Sequence, residues 1–468
     1  MYLSLSSIPH KYRHLYIDNL NNYTIIFNPL SETGVSVLNK EAFHFFSLID
    51  GYRTLNDILN IAKKTDSKLD FNDIKRISHE LLISEIIYFN KPVSKNNIFL
   101  KKKKKVGVWL HITNQCNLRC TYCYVNKTEE KMSKEIADKA LQKLFDSLLK
   151  HNIENVTIKY SGGEALLEWP FIKYLVKKVK ILNKTYKIAV ENVIMTNGIL
   201  LSKEVCKYIK KENIKVALSL DGLGKYQDRI RIFPNRVGSF IFVKKGIENL
   251  IRSGISFNFS ITITSKNIEG IPALVMYAMK KNIPFIFNFF RENSYAENDL
   301  EIDKNKLITT LTKTFKQIEE NISYKNINSI STYKLMDRIN LERPHTMACG
   351  VGKNYIVIRH DGKLVSCQID LSRVIGSIDD DDLIETMQKG SFIKPLNLTV
   401  ERKIPCKDCQ WKYICCGGCP ISSYETHGTY KSNSEYCDVY KALIPKLLRL
   451  EAKRLILMNK YCSMEKPL

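Results

Sequence analysis

A chain of 468 residues with 44% hydrophobic residues is long enough for two or three domains and apolar enough for a sizeable core, which excludes wholesale disorder. No run of about 18 apolar residues is present, and the N-terminal MYLSLSSIPHKYRH lacks a signal peptide's apolar core, so a cytoplasmic chain with no membrane span is expected. The net charge of +24 would suit nucleic acid or an acidic peptide; lysines spread over solvated helix faces are the favoured reading. Thirteen cysteines in such a chain point to metal or catalysis rather than disulfides. None precedes Cys116 and nine fall between Cys349 and Cys462, which suggests a second metal-rich unit.

In chain order, three strand-like runs come first, His14–Asp18, Tyr23–Pro29 and Gly34–Leu38. Ala42, Phe45, Phe46 and Ile49 share one face of a helix that stops at Gly51. Thr54, with Asp57 three residues on, starts a second helix. Ile74, Ile77 and Leu81 mark a third over Asn72–Ser84, and a strand Glu85–Phe89 follows. Strands with three helices read as a winged helix-turn-helix over residues 1–95. The third helix has only Lys75 and Arg76 as basic residues, thin for reading a DNA groove. The order of elements, with VSVLNKEAFHFFSLIDGYRTLNDIL, resembles the PqqD-like peptide-recognition element. That resemblance implies that the leader of a precursor peptide binds as an added strand. Residues 96–105, with Lys101–Lys105, read as a solvated linker.

Over residues 106–325 strand-like runs alternate with helical patterns: Val106–Ile112, Asn155–Tyr160, Ala189–Thr196, Lys215–Leu220, Ser256–Thr264 and Pro284–Phe290, with helices such as Ser133–Leu149 between them. Six β/α repeats predict an α/β fold, a parallel sheet curled into a partial (β/α)6 barrel with its chemistry at the C-terminal strand ends. The first strand runs into HITNQCNLRCTYCY, which holds Cys116, Cys120 and Cys123 as C-x3-C-x2-C. A structural zinc site wants four ligands; three thiolates on one loop suit an iron–sulfur cube with one corner left open. The spacing, with Tyr122 just before the last cysteine, resembles the radical S-adenosylmethionine (SAM) superfamily. The resemblance implies that the open iron chelates the amino and carboxylate groups of SAM.

Further motifs follow the later strands. Ser161–Glu164 resembles the family's GGE motif, in which Gly162 and Gly163 allow close approach and Glu164 contacts the SAM amino group; Ala165 stands where proline is usual. Thr196–Gly198 resembles the TNG segment, with Asn197 near the ribose, and Ser219–Gly222 resembles SLDG, with Ser219 and Asp221 as cofactor contacts. Asp228 and Arg231 match D-x-x-R, with Arg231 the candidate for the SAM carboxylate and Arg229 its competing neighbour. Trp109 and His111 read as core or supporting residues, and Cys206 as a buried thiol.

After a bridging region, 326–345, the cysteines run Cys349, Cys367, Cys406-x2-Cys409-x5-Cys415-x3-Cys419 and Cys437. Seven cysteines in this order resemble the SPASM domain, here 346–440, which carries two auxiliary 4Fe–4S clusters. The resemblance implies that Cys406, Cys409, Cys415 and Cys437 fill one cluster and that Cys349, Cys367 and Cys419 hold the other, one iron of which is open or bound by another residue. Cys416 reads as a bystander, residues 441–468 as a helix packed on the barrel, and Cys462 as free.

Together the resemblances imply a radical SAM/SPASM oxidoreductase that matures a ribosomally made precursor peptide. Its cofactors would be SAM and three 4Fe–4S clusters, and its partners the precursor peptide and a low-potential electron donor such as flavodoxin or ferredoxin. The 5′-deoxyadenosyl radical formed from SAM would take hydrogen from a peptide carbon, with thioether or carbon–carbon crosslink formation the leading outcome. An anaerobic sulfatase maturase, making formylglycine, is the second reading; its pattern has an aspartate where Gln368 stands. A nucleic-acid-modifying enzyme ranks third.

Overall fold

The computed structural model of the protein describes residues 3–64, 69–90, 105–332, 335–390 and 393–464. Residues 96–104 of the expected linker lie outside the described residues, while Lys105 opens the first barrel strand rather than the linker.

The chain begins with β1 (Pro9–Lys11), β2 (Tyr16–Leu20), β3 (Tyr23–Phe27) and β4 (Val35–Leu38), followed by α1 (Lys40–Leu48), α2 (Leu55–Lys64), α3 (Phe71–Ile83) and β5 (Ile87–Phe89). β2–β3–β4 form an antiparallel sheet, and β1 pairs with β5. Local chemistry sets the helix starts. Asn39 accepts from the Ala42 N–H at the head of α1. Thr54 and Asp57 exchange bonds ahead of α2, and Asp70 with Asp73 completes a capping box at α3. The small sheet is covered on both faces. Ile26 and Leu38 pack on the three helices, whereas Leu20, Ile25, Phe27 and Val35 belong to the main core of the molecule.

That main core is built around six parallel strands in sequence order: β6 (Lys105–Thr113), β7 (Asn155–Gly162), β8 (Ala189–Thr196), β9 (Lys215–Ser219), β10 (Phe257–Ile263) and β11 (Phe285–Phe289). These fall where the six apolar runs place them. The outer layer is α4 (Lys134–Lys150), α5 (Trp169–Tyr186), α6 (Lys203–Lys211), the single turn α7 (Lys225–Asp228), α8 (Phe240–Arg252), α9 (Ile271–Lys280) and α10 (Lys304–Asn321). Period-two alternation divides β6 between two environments. Val106, Val108, Leu110 and Ile112 join the main core, while Trp109 packs with Val357 and Val365 on the other side.

The cysteine-rich part is not a detached unit. β12 (Tyr355–Ile358) pairs in parallel with β6, Val357 opposite Trp109, and β13 (Lys363–Cys367) and β14 (Asp370–Ser377) add antiparallel strands to give one nine-stranded sheet. This extension carries His360 and Cys367 to the end of β6 where the first cysteines lie. α11 (Leu383–Lys389), α12 (Ile393–Leu396), α13 (Lys412–Cys415), α14 (Pro420–His427) and α15 (Cys437–Met464) complete the chain. α15 lies along α10 and also against β2–β4. Arg449 pairs with Glu319 on α10 and donates to the Asn19 carbonyl. Among the described residues no helix is long and apolar enough to cross a membrane.

Candidate active site at the strand ends

β6 ends at Thr113, and the next residues form the loop holding Cys116, Cys120 and Cys123. Gly162 and Gly163, at the end of β7, press against it. A Cβ on either would run into the carbonyl oxygens of Thr113 or Gln115, and the Gly163 and Glu164 N–H groups donate to those oxygens at 2.8 Å each. The glycine pair thus fixes the cysteine loop to the second strand. Gly163→Ala is expected to cost about 2 kcal/mol, as overpacking against backbone does, read as a lowered thermal midpoint.

Glu164 is buried and accepts from the Leu166 N–H, the Thr196 hydroxyl and the Asn197 N–H at 3.0, 2.8 and 2.7 Å. A carboxylate offers about four acceptor positions, so three are spent on the fold and one remains. Burial raises its pKa, opposed by those hydrogen bonds. Asn197 in turn donates to Asn117 on the cysteine loop at 2.7 Å, so β7, β8 and the loop are tied together.

On the opposite side Asp221, fully buried, gathers β9, β10 and the loop. It accepts from the Thr262 N–H at 2.6 Å, from the Tyr122 hydroxyl and from Arg231. The Arg231 guanidinium also reaches the Tyr122 hydroxyl and stands 3.8 Å from the Cys120 sulfur. Arg229, by contrast, is exposed and lies against Tyr226, and Asp228 accepts from the Phe240 N–H at the start of α8. Ser219 closes β9 opposite Ser260.

The electrostatics of the three thiols suit a metal cluster. Burial pushes Cys116 up to about 11, with Glu164 adding to the rise. Burial also pushes Cys120 up to about 12, against the pull of Arg231. Lys127 donates to the Cys123 sulfur at 2.8 Å. Desolvated thiols that raise one another's pKa need a strongly positive centre to ionise them. Among the described residues no three His, Cys, Asp or Glu side chains converge on one metal ion; a cube, which presents a separate iron to each thiolate, does not require that convergence.

Two groups form in the cysteine-rich part. Cys406, Cys409 and Cys437 all bear on Cys415. A Cβ at Gly417 would lie 3.0 Å from the Cys406 sulfur, and Cys416, Gly417 and Gly418 are all left-handed; glycine permits this wrap at two of the three positions. Cys416 donates its thiol to the His345 carbonyl at 3.0 Å. Cys349 and Cys419 bear on Cys367. Burial works to raise the Cys419 thiol, but Arg291 and Arg338 outweigh it and hold that pKa below the usual value. Both guanidiniums share Asp337.

Between the first cysteine loop and β13–β14 lies a cavity of about 820 Å³ lined by His111, Asn114, Tyr124, His360, Asp370 and Arg373 among others. Tyr124 senses both Cys123 and Cys367. A polar chain crosses the wall: His111 Nε2 to Asn114 Oδ1 at 2.8 Å, then Asn114 Nδ2 to His360 Nε2 at 3.1 Å. The Asn114 amide nitrogen also faces Thr128 and Glu130, each at 3.0 Å, three acceptors for two hydrogens. Burial lowers the His111 pKa to about 4, so this histidine is neutral at pH 7. Because it is depressed from an unfolded value near 6.5, the stability it contributes is present above about pH 6.5 and is lost as pH falls toward 4. Against wild type, His111→Gln is expected to remove roughly 2.4 kcal/mol of that acid sensitivity, read by chemical denaturation at pH 7 and pH 4.5.

Sequence reasoning missed Asn114, Asn117, Lys127, His360 and the Arg291–Asp337–Arg338 group. Asn114 and Asn117 sit inside the quoted cysteine stretch, so a signal existed; the others are isolated polar residues with no spacing to mark them.

The radical SAM superfamily profile matches residues 110–278, and the SPASM iron–sulfur cluster-binding domain matches residues 349–410. The chain carries a radical SAM domain and a SPASM domain. It is 24% identical over 354 residues to a cysteine-type anaerobic sulfatase-maturating enzyme of Clostridium novyi, covering 71% of this chain and 92% of that one. It is 20% identical over 446 residues to the radical SAM cyclopropyl synthase TigE of Paramaledivibacter caminithermalis, covering 89% and 91%. Among solved structures, native anSMEcpe with bound AdoMet superposes with a TM-score of 0.62 at 20% identity, covering 77% of this chain and all of that one. Streptococcus suis SuiB bound to precursor peptide SuiA gives 0.51 at 14% identity, covering 92% and 99%. These structural likenesses concern the fold. Radical SAM and SPASM domains make the protein an enzyme that uses SAM and iron–sulfur clusters.

Proposed function

We propose that this radical SAM/SPASM enzyme modifies a ribosomally made precursor peptide, forming a thioether or carbon–carbon crosslink in the cavity between the two domains. The observation that carries the reading is the position of that cavity, whose wall joins Tyr124 and Asn126, just after Cys123, to Ile369 and Asp370, just after Cys367. A cluster on Cys116, Cys120 and Cys123, with SAM bound, would supply a 5′-deoxyadenosyl radical able to take hydrogen from an unactivated carbon. Two further clusters, on Cys406/Cys409/Cys415/Cys437 and on Cys349/Cys367/Cys419, fit seven of the ten remaining thiols, the second with one iron not held by cysteine.

The chain's own residues do the rest. Arg231, held by Asp221, is aimed at the cysteine loop and suits a carboxylate; the last acceptor position of Glu164 suits an ammonium. Asn197 and Ser219 line the same strand ends. Forming a bond from a C–H and a second X–H group releases a proton, and His360 Nε2 is placed to hold it. Protonated there, it gives up the Asn114 contact and forms an ion pair with Glu130, 3.7 Å away, which leaves Asn114 with two acceptors for its two hydrogens. His111 fixes the Asn114 amide oxygen throughout.

We assign the N-terminal unit to leader recognition, by strand addition at an edge of the β2–β3–β4 sheet. Deleting residues 1–95 is a poor test, because Leu20, Ile25, Phe27 and Val35 are part of the main core. Substitution of Ile17, 47% exposed on edge strand β2, by proline is a better one. With a synthetic candidate precursor peptide, I17P should weaken peptide binding at least tenfold while SAM cleavage without peptide persists. Unchanged affinity, with the same result for Ser36→Pro on the opposite edge strand β4, would remove the leader-binding assignment.

The formylglycine reading draws on the sulfatase-maturase relative, which the chain covers almost end to end. Gln368 weighs against it. An amide cannot take the proton that aldehyde formation releases, and the Gln368 carbonyl oxygen accepts from the Tyr355 hydroxyl at 2.7 Å.

A further inference from the structure

We propose that Lys403 is a fixed counter-cation of the four-cysteine cluster: its ammonium donates to sulfur of that cluster, helps to retain its iron and raises its reduction potential. The inference rests on reading Cys406, Cys409, Cys415 and Cys437 as cluster ligands. The first observation is which side chains are buried. Lys403 joins two single 3₁₀ turns, Val400–Arg402 and Ile404–Cys406. It is 3% exposed, while Ile404, the next residue, is 79% exposed. Hydrophobic burial alone would seat these two the other way round. The interior here favours a positive charge over an apolar side chain.

The second observation is that no carboxylate compensates that charge. Among the described residues none pairs with the Lys403 ammonium, and the groups near enough to act on it are Cys406, Cys416, Cys419 and Cys415. The surroundings are otherwise largely apolar: Val400, Cys406 and Cys416 pack with Ala348 and Tyr413. A buried, uncompensated ammonium is strongly destabilising, and neutral thiols do not offset it. A cube held by four thiolates is negative in both oxidation states, and more so when reduced, so the thiols that surround Lys403 provide an anion once they hold iron.

The third is place. A Cβ on Gly417 would lie 3.0 Å from the Cys406 sulfur, 3.1 Å from Lys403 Nζ and 2.8 Å from Lys403 Cδ. The ammonium and that sulfur therefore flank one glycine, whose bare Cα lets the lysine stem pass. Lys441 also acts on Cys406, but it is exposed and water screens it. Cys419 belongs to the three-cysteine set, so the one buried cation bears on both auxiliary groups. Positive charge and an N–H donor beside sulfur both stabilise the reduced, more negative state of a cluster. Lys403 touches no substrate; it is a positioning residue that acts through the cluster.

The test uses anaerobic holoenzyme carrying Lys403→Met, which keeps the stem and loses the charge, Lys403→Arg, which keeps the charge, or Lys441→Met as the exposed control. Midpoint potentials are read by redox titration with EPR detection in the background that replaces Cys116, Cys120 and Cys123 by alanine, so that only auxiliary signals remain. Iron retention is read as the rate of loss to a chelator. Lys403→Met should weaken the electron affinity of an auxiliary cluster at least tenfold, a fall of about 59 mV for a one-electron couple, and speed iron loss at least tenfold. Lys403→Arg should restore most of both, and Lys441→Met should change either by less than about twofold. If Lys403→Met is isolated about 4 iron short of wild type, the charge is needed to hold the cluster at all, and Lys403→Arg should recover that iron. Wild-type potentials and iron retention in Lys403→Met would overturn the proposal. Losses in Lys403→Arg equal to those in Lys403→Met would also overturn it, since they would trace to packing rather than charge. Wild-type enzyme holding only about 4 iron per chain would instead overturn the auxiliary-cluster reading on which it rests.

Discussion

Replacing Cys116, Cys120 and Cys123 together by alanine is expected to abolish SAM cleavage while leaving the other iron bound. The loop that carries them is held by contacts that do not involve sulfur: Gly163 and Glu164 bond to its carbonyls, Asn197 to Asn117, and Arg119 and Thr121 to the Ile232 and Ile230 carbonyls at 2.7 and 2.9 Å. The loop should therefore keep its course without the thiols. On the proposed assignment wild type approaches about 12 iron per chain and the triple variant about 8. Iron and sulfide analysis with deoxyadenosine detection reads both quantities. Loss of all the iron would mean that the three sites are not independent, and residual cleavage would place the SAM chemistry elsewhere.

Asp221→Ala is the second large effect expected. Asp221 is fully buried, and the charge it neutralises, Arg231, is buried with it. Removing one partner of a buried pair costs about 3–5 kcal/mol, because the survivor is left uncompensated. Here Tyr122 and the Thr262 N–H also lose their acceptor. Denaturant unfolding should show most of that loss for Asp221→Ala and a smaller one for Asp221→Asn, which keeps an acceptor for Thr262. A paired Asp221→Leu/Arg231→Met variant should recover much of the stability, since a matched apolar pair is often neutral. It should still fail to bind SAM, and that split separates the structural role of the pair from the proposed role of Arg231 in binding.

What could be read in the sequence was what is periodic or local. Six apolar runs gave six strands because each alternates against a helix layer, and the cysteine, GGE-like, TNG-like and SLDG-like segments meet because all of them end neighbouring parallel strands. Thr54 with Asp57 announced α2 by the same short-range logic. What was hidden depends on long-range pairing. His360 reaches Asn114 across 246 residues, only because β12 joins β6 in parallel. The small N-terminal sheet was legible as strands, but nothing in its alternation said that one face would be buried against the last helix. β1 was missed because three residues paired with β5 carry too short a pattern to see.

The position of α15 bears on how the protein is made. Leu20 and Phe27 pack in the core that this helix completes, and Cys437 at its first turn is the last of the four grouped cysteines, 417 residues after Leu20. During synthesis the inner face of the early sheet stays uncovered, and on the proposed assignment that ligand set stays incomplete, until this helix has left the ribosome. On that assignment, assembly of the iron centre and closure of the core belong to the same event, so a cell short of iron–sulfur delivery should accumulate this chain in an aggregation-prone form.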